Sequence, residues 1–372
     1  MATDIMAPVL RLHNSARELA DFISLVEHLE TLRRTTRPPS TSENAGMNAL
    51  NSLVPVLAGT AWKRQYYSFI IVQLYSMHER FIRDLVESFA RVLGQVFSSY
   101  DKLPDRVRKH HLLLTLQHLQ ELSQNSSGDT TLLQDDVRRL GDCLDGIIQL
   151  NESAMSRHTA NFRYETIRNI LLRLDFEVGP TESDEYFKTF PYGALDGLYT
   201  TPESVIDELA DRRNEVAHGS DFEILDIETL KDIADTVYRF DVWIFRNLSN
   251  FQICDLVSRE GLSVGSVTHV WKDKETGERS IGQFLQVAAE VSAGAKAYLV
   301  GEAIKMCSVK EIQANQVKIK TATPDGGPFG INFDISIREK YELRLLAAKW
   351  SEVESALRDA SDEQVKFSFS QG

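Results

Sequence analysis

Cysteine is scarce: there are three, Cys143, Cys254 and Cys307, far apart and never in a C-x-x-C pair. Such usage argues against a disulfide framework or a zinc ribbon and fits a reducing, cytoplasmic setting. No run of 18 apolar residues occurs, so no membrane-spanning helix is expected and no membrane partner. The first residues, Met-Ala-Thr-Asp-Ile-Met-Ala-Pro-Val-Leu, lack the basic start and long apolar core of a secretory leader. The enzyme templates G-x-x-x-x-G-K-[ST], G-x-G-x-x-G after a strand, H-E-x-x-H and G-x-S-x-G are all missing, and no internal repeat is evident. Nothing therefore points to a metal or an organic cofactor, and none is expected. Basic residues are also in deficit, 41 against 54 acids, for a net charge of −13. That excludes a general single-strand coater, whose affinity would come from phosphate contacts. It leaves room for a nuclease with one confined basic cleft, because whole-chain charge says little about a single groove.

What is present is ordinary for a folded protein: 42% apolar and 26% charged residues. A length of 372 residues exceeds one comfortable domain, so two are expected. Apolar residues recur at three- and four-residue steps over 7–36, 61–98, 104–122, 130–150, parts of 151–174, 201–220 and 226–249, which predicts a helical domain over 1–252. Near Cys254 the period changes. Alternating runs at 262–271, 284–291, 297–300, 317–321 and 331–337, separated by Gly/Pro/Asp turns, predict a small antiparallel β domain over 256–345, of barrel or sandwich type. A helix at about 338–358 closes it, and residues 346–372 form a helical end and mobile tail. The fold class is thus α+β, mostly α.

The stretch that carries chemistry is 201–220. Thr201 suits an N-cap, Pro202 the first turn, and Glu203 the positive end of the helix dipole. Gly219 ends the helix by taking a positive φ. Val205, Ile206, Leu209, Val216 and Ala217 make an apolar stripe. Beside it stand Arg213, Asn214 and His218. Asn214 and His218 are four apart and share a face; Arg213 lies roughly 140° around the axis from His218, within reach of its long side chain. The three could meet around one phosphate: His218 moves a proton near neutral pH, Arg213 offers a fork for phosphate oxygens, and Asn214 orients either. The same residues could equally be a solvated face with a C-terminal histidine.

Other segments admit two readings each. His110, His111 and His118 lie among leucines on one helix, but no carboxylate or cysteine accompanies them, which favours polar histidines on a helix face over a metal site. Arg157, His158, Arg163 and Arg168 either line an RNA groove or balance neighbouring acids. Arg33, Arg34 and Arg37, in a loop by composition, either touch RNA or belong to a solvated, mobile segment. Tyr186, Phe187, Phe190, Tyr192 and Tyr199 either stack bases or pack on the bundle.

The motif Arg213-Asn214-Glu215-Val216-Ala217-His218-Gly219 resembles the R-x4-6-H signature of the HEPN superfamily, in the form seen in bacterial toxin and defence loci. Two more segments share the resemblance. Tyr75-Ser76-Met77-His78-Glu79-Arg80-Phe81 is similar to an early helix of type aromatic–small–x–x–Glu–x–aromatic. Asn161-Phe162 through Leu174 is similar to a short helix with an Asn-hydrophobic start and a leucine-rich end. Together these cover roughly residues 60–250; the final third is not covered. The resemblance implies a metal-independent endoribonuclease in which the RNA 2′-hydroxyl attacks the adjacent phosphate. It assigns His218 as general base or acid, Arg213 to the charge on phosphate, Asn214 to orientation, and Glu79 to orienting Arg213 or His218, where the bland reading pairs Glu79 with Arg83. It also implies RNA as partner, a homodimer whose second motif supplies a second imidazole, and an antitoxin or trigger protein as a further partner. The β domain would select substrate or sense the trigger. The rival reading is a non-catalytic nucleotide- or RNA-binding or scaffold module.

Overall fold

The computed structural model describes residues 5–35, 59–125, 131–181, 187, 199–219, 222–273, 277–361 and 368–369. Among them are nine α-helices: α1 Ala7–Thr35, α2 Thr60–Val96, α3 Asp105–Asn125, α4 Thr131–Leu144, α5 Glu152–Ser156, α6 Tyr164–Leu171, α7 Pro202–His218, α8 Ile227–Glu260 and α9 Ser351–Ser361. The ten strands are β1 Leu262–Ser266, β2 His269–Trp271, β3 Ile281–Phe284, β4 Val291–Ser292, β5 Lys296–Val300, β6 Ile304–Ala314, β7 Val317–Ile319, β8 Thr321–Ala322, β9 Phe329–Phe333 and β10 Glu342–Leu345. The chain divides into two compact units, one reaching to Leu248 and resuming at Ala360, the other Ser249–Asp359. The division falls within α8.

The helical unit is built around α2. Its sequence is apolar on nearly every face, as a helix enclosed by others must be. Tyr67, Ile70, Ile71, Leu74, Ile82, Leu85, Val86 and Phe89 have no exposed surface. Helices α1, α5, α6 and α7 pack against it. A buried polar pair lies within the same core: His78 Nδ1 is 2.7 Å from Asp241 Oδ1 on α8, with both side chains wholly enclosed. Burial raises the Asp241 carboxyl to about 6, against the opposing pull of His78.

Helix α8 runs eleven residues past the expected end at 249, because Ile253, Leu256 and Val257 continue its buried face. Gly261 stops it: a Cβ there would sit 2.4 Å from the Val257 carbonyl oxygen.

In the second unit the sheet is antiparallel throughout, in the order β1-β10-β5-β6-β9-β3-β2, with β7 added to β6 and β4 pairing β8. The two ends of that order, β1 and β2, are consecutive in sequence. Val267 accepts from Lys340 N–H and donates to the Tyr341 carbonyl, while Thr268 N–H donates to Gln283 O at 2.9 Å. One bent strand therefore pairs with both edges and curls the sheet on itself, leaving few open edges. Phe284, Phe333, Ile331, Leu299 and Leu343 fill the interior with no exposure. The β6 strand turns the other corner through a bulge between Val309 and Glu311.

Several strand expectations are corrected here. The run at 262–271 is two strands, and that at 284–291 is strand only at its two ends. The strand expected at 331–337 is Phe329–Phe333. The longest strand, Ile304–Ala314, and β10 were not expected. The helix placed at 338–358 is Ser351–Ser361, since Glu342–Leu345 is strand. Of the tail, residues 362–367 and 370–372 lie outside the described residues. Phe369 is buried, and its N–H donates to Asp235 Oδ1 at 3.0 Å.

Candidate functional site

Helix α7 begins and ends as its sequence dictates. Ser204 N–H donates to Thr201 Oγ1 at 3.3 Å and Thr201 N–H to Ser204 Oγ at 3.4 Å, a capping box with Pro202 in the first turn. Gly219 takes φ 66 and closes the C-terminus. The buried stripe is shorter than the sequence suggests: Val205, Ile206, Leu209 and Ala210 are enclosed, but Val216 is only half-buried and Ala217 is exposed. The last two turns, with the motif residues, are thus partly open to solvent, with His218 exposed.

The two adjacent arginines have opposite fates. Arg212 is committed to structure. Its Nη1 donates to Tyr67 Oη at 2.9 Å and to the Glu223 carbonyl at 3.3 Å, and its Nε lies 2.7 Å from Glu208. Burial works against its charge, but the Tyr67 and Glu208 contacts outweigh it and hold the guanidinium above its ordinary pKa. Arg213 has no carboxylate partner among the described residues. Its guanidinium carbon lies 5.1 Å from the centre of the Tyr75 ring, and its Nη1 donates to Asn214 Oδ1 at 3.3 Å.

Tyr75, on α2, links the motif helix to the third segment. Its hydroxyl accepts the N–H of Phe162 at 3.0 Å. Burial, chiefly, raises its phenol pKa. Phe162 is wholly buried. On its other side Arg163 forms a two-pronged pair with Asp211 of α7, one prong at 2.9 Å. Tyr164 N–H donates to Asp207 Oδ1 at 2.8 Å. That bond supplies the cap at the start of α6, where Arg163 is the N-cap and gives no side-chain bond of its own. Asn161 does not cap the helix. The three segments singled out by resemblance, far apart in sequence, thus meet through Tyr75, Phe162, Asp207, Asp211 and Arg213.

Glu79 sits one turn along α2 from Tyr75. It pairs with neither Arg213 nor Arg83 among the described residues; its Oε1 lies 3.6 Å from His158 Nε2. His158 packs edge-on against Phe162 with ring centres 3.9 Å apart. Burial lowers its pKa, with the Glu79 charge acting in the opposite direction. The sequence offered His158 only as part of a basic stretch, and no local signal tied it to Glu79. His218 is exposed and makes no hydrogen bond or ion pair among the described residues. The structure therefore joins Arg213 to Asn214 directly, places His218 free on the same helix, and separates Glu79 from both.

The remaining basic residues are balanced by acids: Arg157 by Glu121, Arg163 by Asp211, and Arg168 by Glu165 at 2.8 Å. His111 and His118 do not share a metal. His111 is enclosed, its Nε2 accepting Asn151 N–H at 3.0 Å and its Nδ1 facing Tyr100 Oη, while His118 faces Asp136 at 2.9 Å. Among the described residues no group of three or more His, Cys, Asp and Glu side chains could hold a metal ion. Phe187 packs edge-on against Trp243 with ring centres 5.6 Å apart, a packing role; Tyr186, Phe190 and Tyr192 lie outside the described residues, as do Arg37 and the side chains of Arg33 and Arg34. No described helix is long and apolar enough to cross a membrane.

No curated protein matches the chain. A family model described as HEPN_MAE_28990-like HEPN matches residues 11–253, which include α2, the Asn161–Leu174 segment, α7 and nearly all of α8. The chain belongs to the HEPN superfamily.

Proposed function

We propose that the protein is a metal-independent endoribonuclease that cuts RNA at the face formed by Arg213, Asn214 and His218. The observation that carries this reading is the contrast between neighbouring arginines. Arg212 is held by Tyr67 and Glu208, whereas Arg213 is set on the Tyr75 ring and left without a carboxylate among the described residues. An uncancelled guanidinium on the same helix as an exposed histidine suits a phosphodiester.

In the proposed reaction the 2′-hydroxyl oxygen bonds to the adjacent phosphorus and the bond to the 5′-oxygen breaks. The products are a 2′,3′-cyclic phosphate and a 5′-hydroxyl. His218 takes the 2′-hydroxyl proton or donates one to the leaving oxygen. Arg213 stabilises the charge that grows on the phosphate, and Asn214 holds Arg213 in register. One motif helix supplies one imidazole, so a symmetric dimer provides the second proton-transfer group. Substrate choice or trigger sensing falls to the second unit, in a defence or toxin role with an antitoxin or trigger protein as further partner.

The test is digestion of total RNA in EDTA by wild type, Arg213→Ala and His218→Ala. The proposal expects cutting by wild type only, and toxicity on expression that disappears in His218→Ala. Cutting that survives in both variants would sink it. One observation favours the second reading, a non-catalytic RNA- or nucleotide-binding or scaffold module. Residues 249–359 hold 14 basic and 15 acidic residues, so the first unit bears nearly all of the net charge of −13. That reading expects no cutting and no toxicity from any of the three proteins.

A further inference from the structure

Against His158 the first unit holds an open cavity of about 270 Å³. Its wall includes Gln117, Glu121, Arg157, His158, Asn169 and Arg173. The lining mixes these polar groups with Leu114, Ala160 and Ile170, and its charges do not cancel. Arg157 is paired with Glu121. Among the described residues Arg173 has no carboxylate: its Nη1 donates to the carbonyls of Met155 and Arg157, at 2.7 and 2.5 Å, and the rest of its guanidinium makes no bond. Dehydration without a compensating anion pulls its pKa down to about 10. A half-buried cation facing this cavity is an unfavourable arrangement that an anion would relieve. Backbone carbonyls hold the side chain in place, so the fork is pre-organised for oxygen acceptors. His158 lines the cavity and faces Glu79, which stands one helical turn from Tyr75, the ring that carries Arg213.

We propose that this cavity binds a second phosphate of the RNA strand, beyond the one held at Arg213, with Arg173 as the recognising charge. The inference rests on the reading of the Arg213 face as an RNA site, and it names where the strand continues. It gives the enzyme a length requirement: a strand too short to reach Arg173 binds weakly. A free phosphate or phosphomonoester shares the same chemistry, and the test separates the two sources.

The experiment uses the full-length protein and a fluorescent, fully 2′-O-methylated oligonucleotide of ten residues, which cannot be cut. Binding is followed by anisotropy across a salt series. The expected result is about tenfold weaker binding for Arg173→Met, with a salt slope shallower by about one. Two substitutions at exposed positions on the wall read the same charge without disturbing the buried guanidinium. Asn169→Asp weakens binding several-fold and Gln117→Lys strengthens it. Binding by all three variants within twofold of wild type, at unchanged slope, overturns the proposal. So does failure of wild type to bind the oligonucleotide while inorganic phosphate raises its unfolding midpoint but not that of Arg173→Met; the cavity would then serve a free anion. Arg173-dependent binding without any RNA cutting would remove the nuclease reading and leave this one standing. Cutting with binding indifferent to Arg173 would do the reverse.

Discussion

Tyr75 does two separable things, and two substitutions separate them. Its hydroxyl satisfies the N–H of Phe162, and its ring supports the Arg213 guanidinium. Phe162 has no exposed surface and Tyr75 only 3%, so water cannot replace the lost acceptor. Tyr75→Phe should therefore cost about 1–3 kcal/mol, the penalty of a buried donor left unpaired. The ring survives, so RNA cutting should stay within about threefold of wild type, less than the 1.4 kcal/mol that a tenfold change represents. Tyr75→Leu loses the same bond and also the ring. A cation–ring contact of this kind contributes about 0.5–1 kcal/mol at an exposed site, and without it Arg213 is no longer confined. The contact alone accounts for about two- to fivefold; misplacement of the freed guanidinium adds to it, so cutting by Tyr75→Leu should fall at least tenfold. The assay is urea unfolding at unchanged m-value beside single-turnover cleavage. A Tyr75→Phe protein within 0.5 kcal/mol of wild type, or a Tyr75→Leu protein that cuts at the wild-type rate, would refute the reasoning.

Arg212 and Arg213 should behave as opposites. Arg212→Ala removes charged hydrogen bonds to Tyr67 and Glu223 and should destabilise by about 1.5–3 kcal/mol, whereas Arg213→Ala, which loses the Tyr75 contact, should stay within about 1 kcal/mol and abolish cutting. Equal thermal shifts in the two would contradict the division of roles. His111 makes stability pH-dependent. Burial lowers it from 6.5 to about 4, so the unfolded chain binds the extra proton between those values. Stability is complete above 6.5 and is lost as pH falls toward 4, by up to about 3 kcal/mol. Asp241, raised to about 6, acts in the opposite direction over the same window, so the test is the difference: between pH 7 and pH 4 wild type should lose more stability than His111→Gln by up to about 3 kcal/mol in urea unfolding, and parallel curves would count against it.

The bounds of α7 were legible because caps are local: Thr201, Pro202 and Gly219 each act on a backbone group within a turn. The helical unit was legible for a related reason, since apolar period survives over long helices such as Thr60–Val96. Strand β6 was not. Its inward residues are Cys307 and Val309, then Ile312, because the bulge shifts the alternation by one. A period-two reading loses the strand at that point. Strand β10 precedes Leu346-Ala347-Ala348-Lys349, which reads on into the following helix and hid the break. Of the site, Arg213, Asn214 and His218 stood in one motif, but chain spacing could not tell which arginine would be cancelled. That depended on Tyr67 and Tyr75, eight residues apart on another helix. The Glu79–His158 contact and the Asp207 cap are likewise long-range, set by packing and invisible to any local pattern.

The central claim is that the 2′-hydroxyl of the substrate attacks its own phosphate at the Arg213 face. The most direct measurement is mass analysis of the ends made from a defined RNA in EDTA, beside the same strand carrying a single 2′-deoxy residue at the cut position. The account predicts 2′,3′-cyclic phosphate and 5′-hydroxyl ends from the first and no cut at the substituted position in the second. Cutting at the deoxy position, or 5′-phosphate ends, would contradict it.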